Sequence, residues 1–103
     1  MDGVILPQEV KRMLDTKDES FVLVDIRTPE ERAEGYIEPS LFIPMMELMK
    51  RMDELPKDKV LVVYCASGGR SSFACNILKS KGFNAKSLAG GILAWNGLKY
   101  PTK

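Results

Sequence analysis

The chain has 103 residues, with fifteen Lys and Arg against fourteen Asp and Glu, two cysteines and no histidine. This length fits one compact domain, so a single domain is predicted over residues 1–103. The near-neutral charge argues against nucleic-acid or membrane-surface partners, the apolar runs are too short for a bilayer span, and the lack of histidine excludes Cys/His dyads, Ser/His/Asp triads and His-ligated zinc sites. Two cysteines are too few for a disulfide scaffold, so we expect a cytoplasmic protein.

The first half of the chain alternates short apolar runs with helix starts. Strands are predicted at Val4–Leu6, Phe21–Val24 and Leu41–Ile43. Each is followed by a helix that begins with a proline at its first position, namely Pro7, Pro29 and Pro44. The second helix has Thr28 as its cap and ends at Gly35, and the third ends at Pro56. The third helix contains Met45, Met46, Met49 and Met52, and their helical spacing predicts that most of them are core residues.

The second half carries the strongest strand signal, Val60–Tyr64, which delivers Cys65 at its carboxyl end. A helix is predicted from Arg70 or Ser71 to Lys79, followed by a strand at 84–88 and a short helix at 91–95 that packs its tryptophan, Trp95, into the core. Continuous apolar strands between helices are typical of parallel sheets. The predicted fold is α/β, a small, mostly parallel five-stranded sheet flanked by helices on both faces.

A candidate nucleophile lies in the turn between the fourth strand and its helix. In open α/β sheets ligands bind beyond the carboxyl ends of the strands, where Cys65 is predicted to lie. Without histidine, a helix N-terminus, converging backbone N–H groups and a guanidinium are the means left to ionise its thiol. The loop that supplies them comprises Ala66, Ser67, Gly68, Gly69, Arg70 and Ser71.

Within this loop, Gly68 and Gly69 can adopt positive φ, which would turn successive amides towards an anion or sulfane sulfur on the cysteine. Arg70 would bind an oxyanionic donor bidentately, and Ser67 and Ser71 would add hydroxyl groups. The alternative is a plain Gly-Gly turn beside an inert core cysteine.

Three segments together resemble the rhodanese family: Val24–Glu31, with Asp-x-Arg before a Pro-Glu-Glu helix start; Cys65–Ser71, the active-site loop; and Leu88–Trp95, with Gly-Gly-x-x-x-Trp. The resemblance implies a sulfurtransferase that moves a sulfane sulfur from a donor such as thiosulfate to cyanide, a thiol or a sulfur-accepting protein. Cys65 would carry the sulfur as a persulfide, without metal or organic cofactor. Asp25 and Arg27 are expected to pair and support the neighbouring loops.

Other interpretations remain open. Phosphatases and arsenate reductases of this fold resemble a longer loop, with five residues between Cys and Arg where this chain has four. A non-enzymatic sulfur carrier or signalling module is the second alternative. Cys75 is expected to pack in the core, although a resolving thiol is conceivable. Tyr36 stands where the family often has histidine, which bears on local geometry and donor choice.

Overall fold

A computed structural model of the chain describes residues 3–103, so Met1 and Asp2 of the predicted domain lie outside the described residues. Its sheet has five strands in the order β1-β5-β4-β2-β3, and all four neighbouring pairs are parallel. The strands are β1 (Val4–Ile5), β2 (Phe21–Asp25), β3 (Leu41–Phe42), β4 (Val60–Tyr64) and β5 (Asn84–Leu88). The helices are α1 (Pro7–Asp15), α2 (Pro29–Ala33), α3 (Leu48–Arg51), α4 (Gly69–Ser80) and α5 (Gly91–Gly97). The predicted α/β class and five-stranded sheet are confirmed.

The sheet separates two hydrophobic cores, because successive side chains of each buried strand point to opposite faces. In β4, Leu61 and Val63 face one core while Val62 and Tyr64 face the other. Helices α3 and α4 cover the first core with Leu48, Ala74, Cys75 and Leu78. Helices α1 and α5 cover the second with Val10, Met13, Ile92 and Trp95. Trp95 is fully buried, as predicted, and helices lie on both faces of the sheet.

The segment after Pro44 differs from the single helix predicted there. It consists of a 3₁₀ turn at Met45–Glu47, the one-turn helix α3 and a second 3₁₀ turn at Met52–Glu54. Among its apolar residues, only Leu48 and Leu55 are buried. Leu48 and Leu55 are seven positions apart, so the segment has no continuous buried face between them. Because short helices depend on tertiary packing for most of their stability, the segment does not form one regular helix.

The prediction that most methionines of this segment are core residues is wrong. Met46 is 94% exposed and Met49 is 60% exposed. Met45 and Met52 are only partly buried against the core. Helical spacing overstated burial because the segment does not keep a helical period along its length.

The carboxyl ends of the strands meet at one edge of the sheet, since all the strands are parallel. Asp25 ends β2, Cys65 follows β4, and the Gly90-Gly91 turn lies just beyond β5 at this edge. The edge therefore brings together the three segments that carry the motifs. Within residues 3–103, no helix has both the length and the apolar character needed to cross a bilayer.

Candidate active site

Cys65 lies immediately beyond β4, and its side chain is 2% exposed. Helix α5 fastens the start of the loop: the Ile92 amide donates to the carbonyl oxygen of Cys65 and the Leu93 amide to that of Ala66, each at 3.0 Å. Such close contact requires Gly91, which has a φ of +61°, because a Cβ atom there would stand 2.3 Å from the Ala66 carbonyl oxygen. The Gly-Gly turn after β5 thus fixes the position of Cys65, the candidate nucleophile.

The loop presents three hydrogen-bonding groups to the Cys65 sulfur. The Gly68 amide lies 3.0 Å and the Ser71 amide 3.4 Å from Sγ, and the Ser71 hydroxyl lies 3.5 Å away. Gly68 adopts a φ of +116° and precedes the first residue of α4. Gly69, also expected to be able to adopt positive φ, is instead the first residue of the helix and is not among the glycines with positive φ. One left-handed residue is enough to turn the chain, because the helix itself then aims the next amides at the sulfur.

These contacts determine the ionisation of the thiol. Burial acts to raise the pKa of Cys65, but hydrogen bonds from the Ser71 hydroxyl and from the amides of Ser71, Gly68 and Ser67 outweigh it, so the pKa lies below its ordinary value. A lowered pKa increases the fraction of thiolate, which is the nucleophilic form. The structure thus combines burial with activation at this one sulfur.

Arg70 does not point a free guanidinium at the loop around the Cys65 sulfur. Its two terminal nitrogens each lie 2.8 Å from a carboxylate oxygen of Glu31, forming a bidentate ion pair. Glu31 also accepts from the Thr28 amide within the capping box of α2. Pairing with Arg70 lowers the pKa of Glu31 to about 2, although burial opposes this. The pair is therefore fully formed above the ordinary carboxyl pKa and is lost as the pH falls through about 2.

Asp25 and Arg27 form a buried ion pair that supports the loops at this edge of the sheet. The Asp25 carboxylate accepts from Nε and Nη2 of Arg27, both at 2.9 Å, and from Nη1 of Arg32 at 3.2 Å. The Tyr64 hydroxyl donates to the same carboxylate at 3.2 Å. Arg27 also donates to the Gly35 carbonyl oxygen at 2.7 Å. Asp25 and Arg27 thus link the end of β2 to Tyr64 and to the Gly35 segment, and their supporting role stays a prediction.

Cys75 and Tyr36 occupy supporting positions of different kinds. Both cysteines are free, and Cys75 is buried among the residues between α4 and the sheet. Burial raises the pKa of Cys75 to about 11, which makes it a poor nucleophile near neutral pH.

Tyr36 is half-buried, and the Arg32 guanidinium lies 3.7 Å from its ring centroid. Its ring thus packs on an arginine that also binds Asp25.

Sequence reasoning missed three residues that contact the site or its supports. The sequence indicates Glu31 only as part of a helix start, whereas in the structure it is the partner of Arg70. Ser87 on β5 lies with its hydroxyl 2.6 Å from that of Ser71. The hydroxyl of Tyr64 accepts from the Ile37 amide and reaches Asp25. The available signal for Ser87 was its place two positions after Ala85, on the buried side of a strand whose other polar residues, Asn84 and Lys86, are exposed or half-buried.

The described residues offer no ready metal site. Within residues 3–103, no three His, Cys, Asp or Glu side chains are grouped closely enough to hold a metal ion. The arrangement at Cys65 is suited instead to covalent chemistry at one sulfur, with backbone amides as its electrostatic support.

Comparison with known proteins agrees with this geometry. The family model described as Rhodanese-like domain matches residues 6–98. A protein named sulfurtransferase from Allochromatium vinosum is 48% identical over 86 residues, covering 82% of this chain and 78% of that protein. The putative sulfurtransferase YtwF of Bacillus subtilis is 40% identical over 84 residues, covering 82% of each. The crystal structure of a rhodanese-related protein from Thermoplasma volcanium has a TM-score of 0.90 at 31% identity, covering 98% of this chain and 97% of that one.

Proposed function

The chain belongs to the rhodanese-like domain family, and we propose that it is a sulfurtransferase that carries a sulfane sulfur as a persulfide on Cys65. Family membership and the two relatives named as sulfurtransferases support sulfur transfer in general. The observation that carries the specific proposal is the convergence of two amides and one hydroxyl on the Cys65 sulfur within 3.5 Å.

The reaction we propose has two displacement steps. The Cys65 thiolate attacks the outer sulfur of thiosulfate, forming an Sγ–S bond, while the bond to the sulfonate sulfur breaks and sulfite leaves with the electron pair. Cyanide or a thiolate then attacks the terminal sulfur of the persulfide, and the electron pair of the breaking Sγ–S bond returns to Cys65. Neither step requires an oxidant, a metal or a protonated leaving group.

The loop amides support each step through charge stabilisation. Before attack the negative charge resides on Sγ, and the N–H groups of Gly68 and Ser71 already contact this atom. After attack the charge resides on the terminal sulfur, one bond away from Sγ. Preorganised donors of this kind stabilise charge without reorganisation during the reaction. The four residues between Cys65 and Arg70 give a shorter ring than that of the related phosphatases and arsenate reductases, and it suits a single sulfur atom.

Arg70 would bind the sulfonate end of the donor. Because Arg70 is held by Glu31, an anionic donor must first replace the carboxylate at the guanidinium. The side chain of Arg70 is 40% exposed, so it can exchange partners without unpacking the core. The acceptor would be a small thiol, cyanide or a slender thiol group of a partner protein. The two free cysteines suit a reducing compartment such as the cytoplasm.

Intact-mass measurement after exposure to thiosulfate tests the proposal. The wild type is expected to gain ~32 Da, one sulfur atom, and to lose it on addition of cyanide with release of thiocyanate. Cys65→Ser is expected to gain nothing, while the matched variant Cys75→Ser loads like the wild type. A wild-type protein that takes no sulfur from any sulfane donor would refute the proposal. A persulfide that passes its sulfur only to a protein would instead identify a sulfur carrier.

A further inference from the structure

Ser87 places a second hydroxyl behind the one that contacts the nucleophile. It lies on β5 beside β4, its side chain is 2% exposed, and its Oγ is 2.6 Å from the Oγ of Ser71. The Ser71 Oγ in turn lies 3.5 Å from the Sγ of Cys65. A continuous line of buried polar atoms therefore runs from β5 to the sulfur.

The number of hydroxyl protons determines in which direction the hydrogen bonds along this line are donated. Each serine hydroxyl has one proton to donate. Within residues 3–103, the Ser87 hydroxyl has no hydrogen-bond partner other than Ser71, so its proton is satisfied when it points to the Ser71 Oγ. The proton of Ser71 is then directed to another acceptor.

Two acceptors compete for the Ser71 proton. One is the Gly68 carbonyl oxygen at 3.2 Å, which already accepts the Ser72 amide at 3.0 Å. The other is the Cys65 sulfur, which becomes the stronger acceptor once it is ionised, because hydrogen bonds to charged groups are roughly twice as strong as neutral ones.

We infer that Ser87 is a positioning residue for the proposed sulfur transfer: by donating to Ser71, it directs the Ser71 hydroxyl towards the Cys65 thiolate. The inference rests on the proposed role of Cys65 as the nucleophile. Ser87 does not touch the substrate. It acts only through Ser71, and this restriction makes its effect separable from that of an ordinary packing residue.

The pH dependence of alkylation by iodoacetamide measures the ionisation of Cys65. The measurement uses a Cys75→Ala background, so that Cys65 is the only cysteine. Ser87→Ala is expected to move the profile upward by at most roughly 1 pH unit, the shift that would follow if the net hydrogen bond from Ser71 to the sulfur were lost altogether. Ser80→Ala, which removes an exposed hydroxyl bonded to its own helix, is expected to leave the profile in place.

A double-mutant cycle separates positioning from packing. In a Ser71→Ala background, Ser87→Ala is expected to cause no further shift, because the residue through which it acts is gone. Ser87→Thr keeps the hydroxyl and is expected to retain the wild-type profile. The inference is overturned if folded Ser87→Ala shows no shift, if the shift persists undiminished without the Ser71 hydroxyl, or if Ser87→Thr behaves like Ser87→Ala.

The same protein samples distinguish this outcome from failure of the proposed function. Loading with thiosulfate is followed by mass for the wild type and for Ser87→Ala. If the wild type takes no sulfur while Ser87→Ala still shifts the alkylation profile, sulfur transfer is refuted, but the effect of Ser87 on the ionisation of Cys65 through Ser71 stands. If the wild type loads and the profile does not shift, sulfur transfer is retained and the inference about Ser87 is refuted.

Discussion

Gly91→Ala should disrupt the candidate active site from outside the loop that contains Cys65. The added Cβ atom would lie 2.3 Å from the Ala66 carbonyl oxygen, 2.5 Å from its carbon and 2.6 Å from the Cys65 carbonyl oxygen. All three atoms belong to the backbone, so no side-chain rotation can relieve the overlap. Either α5 or the start of the active-site loop has to move.

The expected loss of stability has two sources. A non-glycine residue at the φ of +61° found for Gly91 costs about 1–2 kcal/mol. The displacement of packed backbone adds a further penalty of about 1–3 kcal/mol, as overpacking does elsewhere. A total of about 2–5 kcal/mol is a large share of the roughly 5–15 kcal/mol that stabilises a typical domain. Gly97→Ala is the matched control, because a Cβ atom there meets nothing within 4 Å in the same helix.

Urea unfolding and the alkylation rate of Cys65 together measure this effect. Gly91→Ala is expected to lower the free energy of unfolding and to slow alkylation near neutral pH, since the amides around the sulfur move with the loop. Gly97→Ala is expected to keep the wild-type rate and stability within about 1 kcal/mol. If Gly91→Ala matched Gly97→Ala in both measurements, the close contact between α5 and the loop would not position the nucleophile, and our account of the Gly-Gly turn would be wrong.

Two further substitutions test the charges around the site. Glu31→Gln removes the carboxylate that competes with the donor for Arg70. It is expected to lower the KM for thiosulfate about two- to fivefold, the effect of a partly exposed ion pair, whereas the control Glu30→Gln is expected to leave KM unchanged. Equal KM values for the two variants would contradict the exchange of Glu31 for the donor at Arg70. Because the pKa of Glu31 is about 2, the difference should persist at pH 5. Asp25→Asn leaves buried guanidinium groups without their counter-ion. It is expected to lower the free energy of unfolding, measured in urea, by about 3–5 kcal/mol. A loss below about 1 kcal/mol would show that the ion pair is not needed for stability.

The strands and the location of the site could be predicted from sequence because both depend on local patterns. Uninterrupted apolar runs such as Val60–Tyr64 are typical of strands buried on both faces, and this strand is buried over its last four residues. A cysteine that follows such a strand and precedes a helix must lie at the carboxyl edge of the sheet. The start of α4 was displaced by one or two residues, to Gly69, because helix ends depend on capping geometry.

The partners within the site could not be predicted, because they depend on distances across the fold. Arg70 and Glu31 are 39 positions apart, and their contact depends on where α2 packs relative to the loop. Ser71 and Ser87 meet only because β5 pairs with β4 in a particular register. The burial of Met46 was overestimated for the related reason that periodicity describes a helix, while exposure depends on what the fold places against it.

The burial of both sulfur atoms also limits how two molecules of this protein can react with each other. A disulfide requires the Cα atoms of its two cysteines to approach within roughly 7 Å. Cys65 and Cys75 are each 2% exposed, so two folded copies cannot bring the Cα atom of a cysteine in one copy that close to the Cα atom of a cysteine in the other. Covalent dimers formed during storage in air would therefore report on opened molecules, and their rate of appearance is a simple gauge of how often the native structure opens.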